Sequence, residues 1–194
     1  MSAAVPPAAA DPVPPEAPLS AGRPPATPAQ LLARLAALGI ASETVEHPPL
    51  FTVADSKALR GTLPGGHAKN LFLKPKPPGP YLLVVLEEDR QVSINALLRA
   101  AGIPRGRFAS AEELWAELGV RPGSVTPFGL VNAVPGRVRV LIDRALLEAG
   151  RVHFHPLVNT ATTGLAPAGL WRFLEALGHA PERLDPDLAA AAAE

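Results

Sequence analysis

Apolar residues at Leu31, Leu32, Leu35 and Leu38 recur at the three-and-four spacing that puts them on one side of a helix. Thr27 precedes that stretch as an N-cap, Pro28 suits the first turn and Gly39 ends it. The pattern then changes. "SETVEH" reads as a short strand, and the prolines of "HPPLFTV" force an extended entry into the next segment. Thr52 or Asp55 can start a short helix that stops at Gly61. "AKNLFLKPK" and "YLLVVLEED" are strands, and "PPGP" between them signals a hairpin. Leu82 to Leu86 are apolar on both faces, the signature of a central strand.

Two helices follow, "SINALLRAAG" and "SAEELWAELG". In the second, Ser110 with Glu113 three residues on makes a capping box. "RVRVLID" alternates as a strand does, "RVHFHPLVN" reads as another, and "APAGLWRFLEALG" closes as an amphipathic helix with Leu170, Phe173, Leu174 and Leu177 inward. Strands and helices mix without a regular βαβ rhythm or an internal repeat. The expected fold is therefore a single compact α/β domain over residues 29–180, with a mixed, largely antiparallel central sheet surrounded by helices.

Composition sharpens the boundaries. Residues 1–28 hold nine of the 24 prolines and almost no large apolar side chains, so they are expected to form a disordered, Pro/Ala-rich arm. Residues 181–194 are expected to be a tail without an apolar face. The arm lacks the basic start and apolar run of a secretory signal, no stretch is long enough to span a membrane, and there is no cysteine. These features point to a cytoplasmic protein without disulfides or thiolate metal sites. From Gln30 to His179 there are 16 Lys and Arg against 12 Asp and Glu, a balance of about +4. That suits a modest phosphate contact, not a protein that coats nucleic acid.

Three stretches carry candidate chemistry. In "HAKNLFLK", Lys69 and Asn70 stand at the mouth of an apolar strand and must point to opposite faces. Lys69 is either a strand-end lysine reaching solvent or a fixed cation for a phosphate, carboxylate or oxyanion. In "RPGSVTPFGL", Gly123 and Gly129 allow a bend that aims several backbone N–H groups at one spot, although a plain connection is the alternative. It lacks the ending of a Walker loop. In "HFHPLVNTATTG", His153 and His155 alternate, hence share a strand face, and a zinc hydrolase is conceivable. A third ligand would have to come from His47, His67 or an acid, so no metal or other cofactor is expected. No G-x-S-x-G elbow is present, and "EED" at 87–89 reads as a solvated cluster.

Taken in order, "HPPLFTV", "KNLFL", "GSVTPFGL" and "HPLVNTATT" resemble the YbaK / aminoacyl-tRNA deacylase family, relatives of the editing domain of bacterial prolyl-tRNA synthetases. The nearest resemblance is to its ProXp-ala (PrdX-like) branch, and it covers His47 to Leu177. It implies a trans-editing hydrolase for the ester of mischarged tRNA, Ala-tRNA(Pro) first. The alternatives are another substrate such as Cys-tRNA(Pro), or a non-catalytic tRNA- or synthetase-binding module.

By that resemblance Lys69, Gly123 and His155 are catalytic. Thr52, Val53, Asn70, Ser124, Val125, Thr126, Pro127 and Asn159 bind substrate, with His153 a rival to His155 for the pocket. The ammonium of Lys69 and the bend at 123–127 are expected to face each other across a small hollow, and a ribose hydroxyl of the terminal adenosine to help position the water. Implied partners are the acceptor end of mischarged tRNA, with prolyl-tRNA synthetase or elongation factor besides. Lys74, Lys76, Arg105 and Arg107 are the candidates for contact with the acceptor stem.

Overall fold

The computed structural model describes residues 17–49 and 63–185. Thr52, Val53 and the short helix expected near Asp55 lie outside the described residues. Eight strands form one mixed sheet in the order β1-β7-β6-β2-β3-β5-β8, with β4 alongside β2. They are β1 (Ser42–Glu46), β2 (Gly66–Lys76), β3 (Tyr81–Glu87), β4 (Arg105–Phe108), β5 (Val138–Asp143), β6 (Val152–Phe154), β7 (Ala161–Leu165) and β8 (Pro181–Leu184). The helices are α1 (Pro28–Ala37), α2 (Ile94–Ala100), α3 (Ala111–Leu118), α4 (Arg144–Glu148) and α5 (Pro167–Ala176), with a 3₁₀ turn at Pro127–Val131. Four of the pairings are antiparallel (β1–β7, β2–β3, β2–β4, β6–β7). The other three are parallel (β2–β6, β3–β5, β5–β8).

Two cores lie on the two faces of this sheet. On one, Phe72, Leu83, Val85, Val140 and Ile142 pack under α1, α3, the 3₁₀ turn and α5. Phe128 is the hub there, edge-on to Phe154 at 5.8 Å and to Phe173 at 5.7 Å, the geometry aromatic quadrupoles favour. On the other face, Leu73, Leu82, Val84, Leu86 and Leu141 meet Leu97 and Leu98 of α2. Leu82 to Leu86 are fully buried because β3 has neighbours on both edges and cover on both faces. The caps form as the sequence implies: Thr27 with Gln30 opens α1, and Ser110 with Glu113 opens α3.

Three expectations need correction. Residues 17–27, assigned to the unstructured arm, lie against the domain. Leu19 is buried beside Trp115, whose Nε1 donates to the Ala17 carbonyl at 2.8 Å. Ser20 Oγ donates to the buried Glu117 at 2.8 Å, and Asn132 Oδ1 accepts from the Ala26 amide at 2.8 Å. One apolar side chain in a slot plus satisfied polar groups suffices where composition alone predicted disorder. Second, the domain runs past residue 180, because β8 adds a parallel edge to β5. Third, the strand expected over 151–159 stops at Phe154, since Pro156 has no N–H for a ladder.

Candidate functional site

Lys69 and Asn70 part company at β2. Lys69 lies opposite Leu86 and so belongs to the α2 face; Asn70 lies opposite Val85 and belongs to the face under α3. The Lys69 ammonium donates to the Arg90 carbonyl in the β3–α2 connection. That connection is itself held by the fully buried Asp143, which accepts from the Glu87 amide at 3.0 Å and from Arg90 Nε at 3.2 Å. Asn70 Nδ2 instead donates to the Val125 carbonyl at 2.9 Å. The expected pairing of ammonium and bend is therefore overturned: strand alternation gives the bend to the amide and leaves the ammonium on the opposite side.

Left-handed glycines shape the bend. Gly119 (φ 64°) ends α3, and Gly123 (φ 87°) turns the chain back. A methyl group at Gly123 would meet nothing within 4 Å, so this residue borders open space. Ser124, Thr126 and Pro127 turn their side chains inward and are buried. Thr126 Oγ1 accepts from the Phe128 amide at 3.3 Å, capping the 3₁₀ turn. Within residues 124–127 the half-buried Val125 and the backbone remain for contact with a ligand. Asn70 Oδ1 is buried with no hydrogen-bond partner among the described residues, an unspent acceptor beside the bend.

The two histidines also separate. His153, still in β6, stacks on His67 with ring centroids 4.9 Å apart, and its Nε2 donates to the Pro64 carbonyl at 3.1 Å. His155 lies past the strand, and its Nδ1 donates to the Ala161 carbonyl at 3.0 Å. That bond fixes the neutral tautomer and leaves Nε2 as an acceptor. Burial pushes this imidazole below the usual histidine range; the Ala161 bond works against the shift and the neighbouring His47 adds to it. Leu157, two residues on, has φ 70°, rare for a branched side chain and a mark of local strain. Asn159 follows, half-buried.

His47, which the sequence suggested only as a stray metal ligand, stands 6.2 Å from His155 between ring centroids. Its Nε2 meets Thr162 Oγ1 at 2.9 Å, and its Nδ1 donates to the Pro48 carbonyl at 2.8 Å. Its own amide also donates to the Thr160 carbonyl at 2.9 Å, so the ring is held against β7. A groove of ≈ 730 Å³ opens beside it, lined by Leu32, Thr44, His47, Pro156 and Val158 among others. No three His, Cys, Asp or Glu side chains among the described residues converge as a metal-ligand group. No helix among them is long and apolar enough to cross a membrane.

The bend and the His155 turn are joined through the core. Phe128 directly follows Pro127, Phe154 directly precedes His155, and the two rings meet edge to face. The arrangement thus offers an open glycine bend, an amide side chain that fixes it, and a neutral imidazole. These are the parts that acyl-ester chemistry requires.

Comparison with known proteins agrees with that chemistry. The model of the aminoacyl-tRNA editing domain matches residues 47–173. A "Prolyl-tRNA synthetase associated domain-containing protein 1" from Bos taurus is 42% identical over 163 residues, covering 82% of this chain and 95% of the relative. The "Prolyl-tRNA editing protein ProX" of Acetoanaerobium sticklandii is 30% identical over 149 residues, 77% of this chain and 91% of that one. A structure solved as a candidate trans-editing enzyme for prolyl tRNA synthetase shares the fold, with TM-score 0.64 and 20% identity over 82% of this chain and 96% of that one. Since the family model spans more than half of the sequence and relatives at this identity cover most of it, the chain belongs to the aminoacyl-tRNA editing domain family.

Proposed function

We propose that this protein is a trans-editing deacylase that hydrolyses the ester of mischarged tRNA, with Ala-tRNA(Pro) as its substrate. The observation that carries the reading is the Asn70–Val125 bond, which fixes an open glycine bend on the strand that bears the lysine. The printed name of the ProX relative, a prolyl-tRNA editing protein, supports the choice of tRNA.

In this reading water attacks the aminoacyl carbonyl carbon, and its proton passes to His155 Nε2. Backbone amides around Gly123 hold the tetrahedral oxyanion. The C–O bond to ribose then breaks, and the imidazolium returns the proton to the departing ribose oxygen. Asn159 and the backbone at Ser124 to Pro127 bind the aminoacyl group, as Thr52 and Val53 are expected to. Lys69, on the far side of β2, is too badly aimed for the oxyanion; its long stem suits it to the negative charge of the terminal nucleotide. Alanine is the favoured acyl group because a small pocket rejects proline by size, a lever worth about 10–200-fold per methylene.

The name of the animal relatives, a synthetase-associated domain, favours one second reading: a module that binds tRNA or prolyl-tRNA synthetase without cleaving anything. A panel of mischarged tRNAs, treated with wild type and Lys69→Ala side by side, separates the two. Release of alanine from tRNA(Pro) by wild type, slower in the variant at subsaturating tRNA because a contact to the terminal nucleotide is lost, is the expected outcome. Binding of tRNA with every ester left intact removes the enzyme reading, and preferential release of cysteine moves the substrate.

A further inference from the structure

A second feature lies on the same strand and the same face as Asn70. Residues 70, 72, 74 and 76 alternate onto one side of β2. Beyond Phe72 that side becomes cationic. Lys74 pairs in register with Arg107 of β4, and Lys76 with Arg105. The four side chains form a two-by-two array, and Pro75 and Gly106 between them turn to the α2 side, where Gly106 lies against Leu98.

A single carboxylate serves this array. Glu113 accepts from Lys74 Nζ at 2.5 Å and from both terminal nitrogens of Arg107 at 2.9 Å. Those bonds, Arg107's first, hold its carboxyl down to about 2. Lys76 and Arg105 are exposed, and no carboxylate among the described residues pairs with either. Like charges placed directly across a ladder cost stability. Edge protection accounts for arginines on β4, which has no second neighbour among the described strands. It does not account for the lysines of β2, an interior strand. A net charge of +3 gathered on one sheet face is matched by a polyanion, not by the protein itself.

We propose that the β2–β4 face receives the phosphate backbone of the double-stranded acceptor stem of the tRNA, with Lys76 and Arg105 as the contacts free to bind it. The proposal rests on the deacylase reading for the identity of the RNA. Its geometry fits that substrate. Six residues of strand at ~3.3 Å each place Lys76 roughly 20 Å from Asn70 along the same face. A single-stranded 3′ end carrying the ester covers such a distance, so the stem lies on the cations when the ester reaches the bend.

The test is binding of uncharged tRNA(Pro) transcript across a salt series by wild type, Lys76→Gln/Arg105→Gln and Glu113→Gln. The double variant is expected to bind roughly tenfold more weakly near 0.15 M salt, with a log–log salt slope shallower by about 2, one per lost phosphate contact. Glu113→Gln keeps the capping box, because glutamine serves at that position, yet frees Lys74 and Arg107. It is expected to bind several-fold more tightly with a steeper slope, a gain that damaged folding would not produce. Unchanged affinity and slope in both variants overturn the proposal. So does wild-type binding to vesicles of phosphatidylserine that the double variant loses while keeping its affinity for tRNA. Because the RNA is uncharged, a protein that cleaves no ester but shows these shifts keeps the docking face and loses only the catalytic reading.

Discussion

The two faces of the central sheet are built from similar apolar residues, yet they do different work. The face under α2 is a closed packing layer: Leu73, Leu82, Val84 and Leu86 against Leu97 and Leu98. Its polar groups, among them Lys69 on the Arg90 carbonyl and the buried Asp143 on the Glu87 amide, tie down a connecting loop. The face under α3 carries a larger core, but its border is left open. There Asn70 keeps an unspent acceptor, Gly123 borders free space and Leu157 holds a left-handed backbone. A strained Leu157 and an unspent Asn70 acceptor beside an open bend are what a candidate site looks like beside a packing layer.

That contrast can be broken or sharpened. The largest effect on stability is expected on the quiet face. Leu97→Ala empties fully buried volume and costs about 2–5 kcal/mol, read from denaturant unfolding. At a temperature where it stays folded, its rate of ester cleavage should equal wild type. A proportional loss of rate would show that the two faces are not separable.

A smaller effect follows from protonation. His155 titrates below the usual value of about 6.5 because it is buried. The rate should therefore hold steady through neutral pH and fall only on the acid side of 6.5; an acid limb at pH 7 or above would remove His155 as the base. Burial lowers His153 and His179 in the same direction. With all three, the folded state binds fewer protons than the unfolded one. Their contribution to stability is complete above about pH 6.5 and is lost as pH falls toward their lowered folded values, which melting across pH 7 to 5 can follow.

Much of this architecture is legible in the sequence, for identifiable reasons. The β2–β3 hairpin is announced by "PPGP" between two apolar runs, and α3 by Ser110 and Glu113. Strands β4, β7 and β8 are not announced. "RGRF", "ATTGL" and "PERL" carry too much charge, glycine or proline for strand propensity, and each exists because a ladder partner holds it. In the site, the types Lys69, Asn70, Gly123 and His155 can be picked out, but not their directions. Which of two adjacent strand residues meets the bend depends on which side α3 lies, and that is a property of the whole sheet. His47 reads in the sequence only as a spare metal ligand, because its partners, Thr162 and His155, lie more than a hundred residues away.

The central claim is that Asn70, by holding Val125, keeps the bend in the shape that stabilises the oxyanion. Single-turnover cleavage of Ala-tRNA(Pro) by Asn70→Ala, with folding checked by thermal melting, tests it most directly. The account predicts a rate lower by about 10²–10³ in a protein that remains folded. A folded Asn70→Ala protein that cleaves at the wild-type rate would contradict it.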